Sequence, residues 1–205
     1  MENQRAERRT QVERRSASEQ RLLAAVTEIL VEDGFTAATF DRISERSGYS
    51  RGMVRERFGS KEAFVEAAIR ATSEELASHY DALIDGRETP LAAIRAKLDA
   101  AFQAIKSPNL QAYFVLLCAT VANRLPQANE FREYHRRENR SYSDLIQAAQ
   151  ADGAIPAAID PKNLASLVGC LAVGVAVQTQ IDPAMDLDSL QRTLDAVFDL
   201  IAGLE

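Results

Sequence analysis

Tryptophan is absent from this chain, and only two cysteines, six prolines and nine glycines occur in its 205 residues. Two cysteines, Cys118 and Cys170, cannot build a disulfide framework, and neither has a neighbour at metal-ligand spacing. Each lies in an apolar stretch, so both read as small buried hydrophobes in a reducing compartment. The scarcity of glycine and proline beside abundant alanine and leucine favours helices over strands. No uninterrupted apolar run reaches the roughly 18 residues that mark a membrane span, and 164–177, the nearest approach, is too short. The N-terminus, MENQRAERRTQVERRS, has charges but no apolar h-region, so a secretory signal is not expected. The expectation is a soluble, cytoplasmic protein without a membrane partner. Signatures of catalysis are missing too: there is no Gly-rich phosphate loop, nucleophile elbow or zinc spacing. His135-x-x-Glu138 matches half of a carboxylate-bridged metal site, but such a site needs carboxylates from four helices and a second His motif. The other histidine, His79, has no matching carboxylate spacing. No enzyme activity, metal or cofactor is expected.

Charge is present but unevenly placed. The formal net charge is −6, yet residues 1–62 hold twelve Lys+Arg against eleven Asp+Glu, and residues 63–205 hold twelve against nineteen. The stretch GYSRGMVRERFGSKEAF puts Arg51, Arg55, Arg57 and Lys61 close together. An acidic protein with a basic front is suited to meeting a polyanion there.

The chain from residue 16 onward divides into helical segments. Residues 1–15, which include Arg5, Arg8, Arg9, Arg14 and Arg15, are polar and aperiodic and are expected to form a mobile basic arm. Ser16 to Glu19 fits a capping box, and Leu22, Val26, Ile29 and Leu30 then share one helix face up to Gly34, a left-handed C-terminal cap. Thr39 caps a short second helix with Ile43 inward, and Gly48 closes it. Ser50 caps a third, Arg51 to about Phe58, with Val54 and Phe58 inward; Gly59 stops it and Ser60 caps a fourth at Lys61. Two short helices joined by so tight a turn cannot lie side by side, so they cross steeply as a helix-turn-helix.

The remainder is helical throughout. A fourth helix runs to about Ile84 and is broken by Asp85-Gly86. Thr89-Pro90 opens a fifth with Leu91, Ile94, Leu98 and Phe102 inward, and Pro108 opens a sixth that is apolar nearly all round. A charged seventh helix ends near Gly153, Asp160-Pro161 starts an eighth, and Asp186 or Asp188 a ninth. The expected fold is all-α, about nine helices: a three-helix helix-turn-helix domain over 16–62, then a helical bundle over 63–205.

A helix-turn-helix can insert its second helix into the DNA major groove. The alternative is a helical interaction module whose helix-turn-helix binds another protein without sequence-specific DNA binding, which a steep salt dependence would separate from the first. Arg51 and Arg55, one turn apart and facing away from Val54 and Phe58, can pair with a guanine edge or with phosphates. Gly52 and Met53 leave room and apolar adaptability near the bases. Lys61 and Thr39, each at a helix N-terminus, suit phosphates.

The run LLAAVTEILVEDGFTAATFDRISERSGYSRGMVRERFGSKEAFVEAAI resembles the N-terminal DNA-binding domain of the TetR family of transcriptional regulators. The resemblance rests on Ala25, Gly34-Phe35, Thr39, Ile43, Ser47-Gly48-Tyr49-Ser50, Gly52 and Phe58-Gly59-Ser60-Lys61-Glu62. Family members usually carry Tyr where this chain has Arg55, often His where it has Arg57, and a small alanine where Ser44 stands. The resemblance implies a homodimeric repressor on a palindromic double-stranded DNA operator, released by an apolar small-molecule effector. The implied DNA-binding set is Thr39, Ser50, Arg51, Gly52, Met53, Arg55, Arg57 and Lys61, with Arg55 facing either a phosphate or a base.

The same resemblance places the effector pocket among helices four to eight. Polar residues on otherwise apolar helices there include His79, Tyr80, Gln111, Tyr113, Asn123 and Arg124, with Tyr113 and Asn123 preferred. Helix eight is apolar on more than one face, and its Gly169, Ala172, Gly174 and Ala176 permit close approach of another backbone. Either it is a central core helix, or a copy of the chain covers its second face. The expected dimer contacts are Leu164, Val168, Leu171 and Val175 with Leu190, Leu194 and Val197 of the ninth helix.

Overall fold

In the computed structural model, which describes residues 11–84 and 87–203, nine α-helices follow one another with no strand among the described residues. They are α1 (Gln11–Asp33), α2 (Phe40–Ser47), α3 (Arg51–Phe58), α4 (Lys61–Ile84), α5 (Pro90–Ala104), α6 (Pro108–Asn123), α7 (Ala128–Ala151), α8 (Pro161–Ile181) and α9 (Leu187–Ala202). The chain is all-α. Hydroxyl and carboxylate caps start most of these helices where the sequence puts them. Thr39 accepts from Arg42 N, Ser50 from Met53 N, Ser60 from Ala63 N, Thr89 from Ala92 N, Asp160 from Asn163 N and Asp186 from Ser189 N.

Two details at the front differ from expectation. α1 begins at Gln11, so Ser16 lies inside the helix and caps nothing. Gln, Glu and Arg at 11 and 13–15 are good helix formers, and Ser18 Oγ donates instead to Arg15 O at 2.8 Å. The arm expected over 1–15 is therefore helical from Gln11, and its earlier arginines lie outside the described residues, as does the expected break at Asp85-Gly86. Gly34 is not a left-handed cap: its φ of 81° and ψ of 178° fall in a region essentially reserved for glycine. No atom crowds its absent Cβ, so the backbone angle alone demands glycine there.

The chain forms two compact units that meet within α4, after Ala68. In the first, Leu22, Val26, Ile29 and Leu30 of α1 are buried with Ile43 of α2, Val54 and Phe58 of α3, and Phe64 and Val65 of α4. Burying each such side chain contributes about 1.5–3 kcal/mol before entropy is counted. Phe64 packs edge-on against Phe40 and Phe58, with ring centroids 5.8 and 6.1 Å away. Outside this core α1 is clasped to α2: Arg46 reaches Glu28 and Glu32 at 3.2 and 2.6 Å, and Arg42 reaches Asp33 at 2.6 Å.

In the second unit α7 packs chiefly on α8 and α5. The core joins Ile94 and Leu98 of α5, Tyr142, Ile146 and Ala149 of α7, Leu164, Ala165 and Val168 of α8, and Phe198 of α9. Gly169 belongs to this contact, since a Cβ there would come within 3.3 Å of Asn139 Oδ1 on α7. At 21 residues α8 is, by length and composition, capable of crossing a bilayer, which the shorter apolar count of 164–177 did not anticipate. Its Leu164, Ala165, Val168, Val175 and Ala176 are buried inside the unit. Cys118 and Cys170 are both exposed, not buried as expected, because each sits on the outward face of its helix. Apolar neighbours in sequence do not bury a residue when the helix turns it outward.

Candidate nucleic-acid interface and ligand cavity

The turn between α2 and α3 is made by Gly48, whose φ of 75° and ψ of 10° place it in the left-handed region. Its N–H closes α2 on Ser44 O, and Ser44 Oγ donates to Tyr49 O at 2.6 Å, so the hydroxyl ties down the turn. Ser50 then starts α3, which buries Val54 and Phe58 and turns Arg51, Gly52 and Arg55 outward. Met53 is half-buried beside them. Gly52 has ample room: the nearest atom to an added Cβ is Ser50 Oγ at 3.9 Å. Among the described residues nothing crowds that position.

The arginines differ in what holds them. Arg51 is exposed and its Nε lies 3.1 Å from Asp41 Oδ1. Arg55 is exposed and has no ion-pair partner among the described residues. Arg57 is different: its side chain is only 13% exposed, donating to Arg15 O at 3.1 Å and Ser18 Oγ at 3.0 Å, with Glu19 3.5 Å away. Arg57, expected among the DNA contacts, is instead engaged as a brace between α3 and α1 in this structure. The reason is helical phase: Arg57 follows Val54 by three residues and so turns toward the buried side.

Thr39 and Ser50 are exposed, each with its hydroxyl engaged at its own helix start. Lys61 is half-buried, with its ammonium 4.7 Å from the centre of the Phe35 ring. Arg51, Arg55, Gly52, Thr39 and Ser50 thus leave polar groups and open space at one helix-turn-helix, the arrangement that suits a DNA groove with its flanking phosphates.

The second unit holds a partly open cavity of about 90 Å³. Its walls are largely apolar, with Leu98, Phe102, Phe114, Val168, Val175 and Leu194 among them. Its polar groups are Tyr80 from α4, Tyr113 from α6, and Tyr134, His135, Glu138, Asn139 and Tyr142 from α7. Tyr113 OH and His135 Nε2 are 3.2 Å apart, and the Tyr113 ring stands edge-on to Phe131 and Tyr134. Burial holds the His135 imidazole below its ordinary value, and pushes the phenols of Tyr80, Tyr113, Tyr134 and Tyr142 up, with the Glu138 charge adding to each. At neutral pH the wall therefore presents a neutral imidazole and protonated phenols.

Of the residues expected to line a pocket, Tyr113 and Tyr80 do so. Asn123, Gln111 and Arg124 do not. Asn123 is exposed and donates to Ala119 O; Gln111 donates to Lys106 O; exposed Arg124 takes the left-handed position that ends α6. Gln111 lies between the lining residues Leu110 and Tyr113 but on another face of α6, and Asn123 and Arg124 lie at the far end of that helix. Missed altogether was Lys97, which is fully buried, with Nζ 3.0 Å from Glu138 Oε2 and 2.8 Å from Ser141 Oγ. The signal was available: Lys97 stands between Ile94 and Leu98 on the inward stripe of α5, and Tyr134, Glu138 and Tyr142 recur every four residues on α7.

The residues of the expected dimer set divide between the core and the surface. Leu164, Val168 and Val175 are buried in the chain's own core, and Leu190 and Leu194 are half-buried, Leu194 against that core. Leu171 and Val197 are exposed. Leu167, Ile181 and Leu200, exposed by 66, 75 and 70%, add further outward apolar side chains on α8 and α9.

Residues 22–68 match the family model of bacterial regulatory proteins, tetR family. The HTH-type transcriptional repressor KstR2 of Mycolicibacterium smegmatis is 25% identical over 139 residues, 68% of either chain. The solved structure of the ketosteroid transcriptional regulator KstR2 of Mycobacterium tuberculosis has a TM-score of 0.68 at 17% identity, covering 88% of this chain and 92% of that one. The MbdR regulator from Azoarcus sp. CIB gives 0.74 at 19% identity, covering 92% and 99%. At these identities the two structures establish the fold. Residues 22–68 thus carry the helix-turn-helix of bacterial regulatory proteins, tetR family, and the helical architecture beyond them is the fold that the two solved structures share.

Proposed function

We propose that this transcriptional regulator is a ligand-responsive repressor. It binds a palindromic operator as a homodimer in the cytoplasm and is released by a small, mainly apolar molecule held in the cavity of the second unit. The observation that carries the DNA reading is the outward set on α3: Arg51 and Arg55 one turn apart, with open space at Gly52 between them. Arg51 reads a base edge, Arg55 takes a base edge or a phosphate, and Thr39, Ser50 and Lys61 hold the backbone at helix N-termini. Two such helices, one per protomer, reach successive major grooves about 34–36 Å apart.

The homodimer reading is supported by the outward apolar face of Leu167, Leu171, Ile181, Val197 and Leu200, which a second copy would cover. Effector response is supported by the continuity of α4, which starts at Lys61 and contributes Tyr80 to the cavity wall. A ligand that prefers one arrangement of the helices around the cavity weakens DNA binding only by its differential affinity for that arrangement.

The test is selection of genomic DNA fragments by the purified protein, followed by titration of a recovered fragment at rising salt. A recurring inverted repeat whose affinity falls steeply with salt is the expected result. Fragments without a shared sequence would refute operator recognition.

A further inference from the structure

Four of the five tyrosines of the chain, Tyr80, Tyr113, Tyr134 and Tyr142, line the one cavity described above. Behind that wall the fully buried Lys97 is spent on Glu138 and Ser141, with its ammonium also 4.3 Å from the centre of the Tyr142 ring. Glu138 lines the cavity, and its Oε2 carries the contact to Lys97. No other hydrogen bond or ion pair among the described residues engages this carboxylate. The ionisable groups facing the cavity are Tyr80 of α4, Tyr113 of α6, and Tyr134, His135, Glu138 and Tyr142 of α7, backed by Lys97 of α5; α8 and α9 line it with no ionisable group. The wall therefore carries one negative charge cancelled by one buried positive charge.

We propose that this cavity selects an uncharged, mainly apolar small molecule bearing one hydroxyl group that donates to Glu138, and rejects ligands of either net charge. The proposal rests on the reading of the cavity as an effector site and names the chemical class it takes. The reason is desolvation. A carboxylate ligand would lose its hydration while facing Glu138, and an ammonium ligand would compete with Lys97 for a charge already neutralised. A neutral hydroxyl loses little on entry and finds an acceptor with a free oxygen, while the apolar walls take the rest of the molecule. The phenols and the imidazole can accept or donate to a neutral ligand without moving a charge.

The chain has no tryptophan, so its tyrosine fluorescence reports chiefly on this cavity. Full-length protein is titrated with four probes of one skeleton: cyclohexylmethanol, methylcyclohexane, cyclohexanecarboxylate and cyclohexylmethylammonium. Cyclohexylmethanol should bind at least about tenfold more tightly than either ion, and more tightly than methylcyclohexane. Lys97→Met should shift the preference toward the ammonium probe, and Glu138→Gln toward the carboxylate, because each leaves the opposite charge unpaired. Where either variant fails to fold, the double variant Lys97→Met, Glu138→Gln restores neutrality and should still discriminate against both ions. A wild-type preference for either ion, equal binding of all four, or no tyrosine response up to probe solubility overturns the proposal. None of these titrations contains DNA. Cyclohexylmethanol that binds but leaves a protein–operator complex intact would refute the regulatory reading and leave the ligand class standing.

Discussion

Asp41 Oδ1 lies 3.1 Å from the Nε of Arg51, so the arginine proposed to read a base is held by a carboxylate at the start of the preceding helix. Both side chains are exposed, and in water such a pair contributes little to stability. Its consequence is for binding. In the proposed complex DNA competes with Asp41 for the guanidinium, and the carboxylate repels approaching phosphates. Arg51→Ala should cost about 1–3 kcal/mol on the cognate operator and relax specificity at one base position. Asp41→Asn should raise affinity at low salt and make the dependence of log affinity on log salt steeper. Fluorescence anisotropy over a salt series measures both; an unchanged affinity for Arg51→Ala would put this arginine outside the interface.

Arg57 is expected to behave as a structural residue. Its guanidinium donates to Arg15 O and Ser18 Oγ, so Arg57→Ala strips a charged donor from two acceptors of α1. The loss should be about 1–3 kcal/mol of stability in the first unit, seen by thermal or urea denaturation. The salt dependence of DNA binding should match the wild type once both proteins are folded. A reduced salt slope with unchanged melting would restore Arg57 to the DNA contacts.

On α8 and α9 two substitutions should separate association from folding. Leu200→Glu places a charge on the outward apolar face and should yield folded monomers by light scattering, with helical circular dichroism retained. Val168→Asp buries a charge in the core of the second unit and should unfold the protein instead. A Leu200→Glu protein that remains dimeric would move the interface to another surface.

His135 sets a pH dependence on the acid side. Burial depresses its folded value below the ordinary 6.5, so the unfolded chain takes up a proton that the folded chain refuses. This contribution to stability is present above pH 6.5 and declines as pH falls below it. His135→Phe should therefore lose less melting temperature than the wild type between pH 7.5 and 5.5. Parallel curves would show that the imidazole titrates alike in both states.

Much of the fold was legible because helix starts are local events. Thr39, Ser50, Ser60, Thr89, Asp160 and Asp186 cap within three residues of themselves, and prolines at 90, 108 and 161 sit where a missing N–H costs nothing. The start of α1 was not legible, since Ser16 to Glu19 satisfies a capping pattern that ordinary helix-forming residues override. At the cavity the tyrosine and glutamate repeat on α7 was visible, but its meaning needed Lys97 from α5 across the gap.

From sequence alone came the all-helical class, the helix-turn-helix and the outward phase of Arg51 and Arg55, because periodicity and caps act within one or two turns. Only the tertiary structure decided the rest. It turned Arg57 into a brace, gave Leu164, Val168 and Val175 to the core, left Leu167 and Leu200 outside, and paired Lys97 with Glu138. A helix with two apolar faces does not declare which one its own chain will cover. That depends on partners distant in sequence, whose arrival no local pattern encodes.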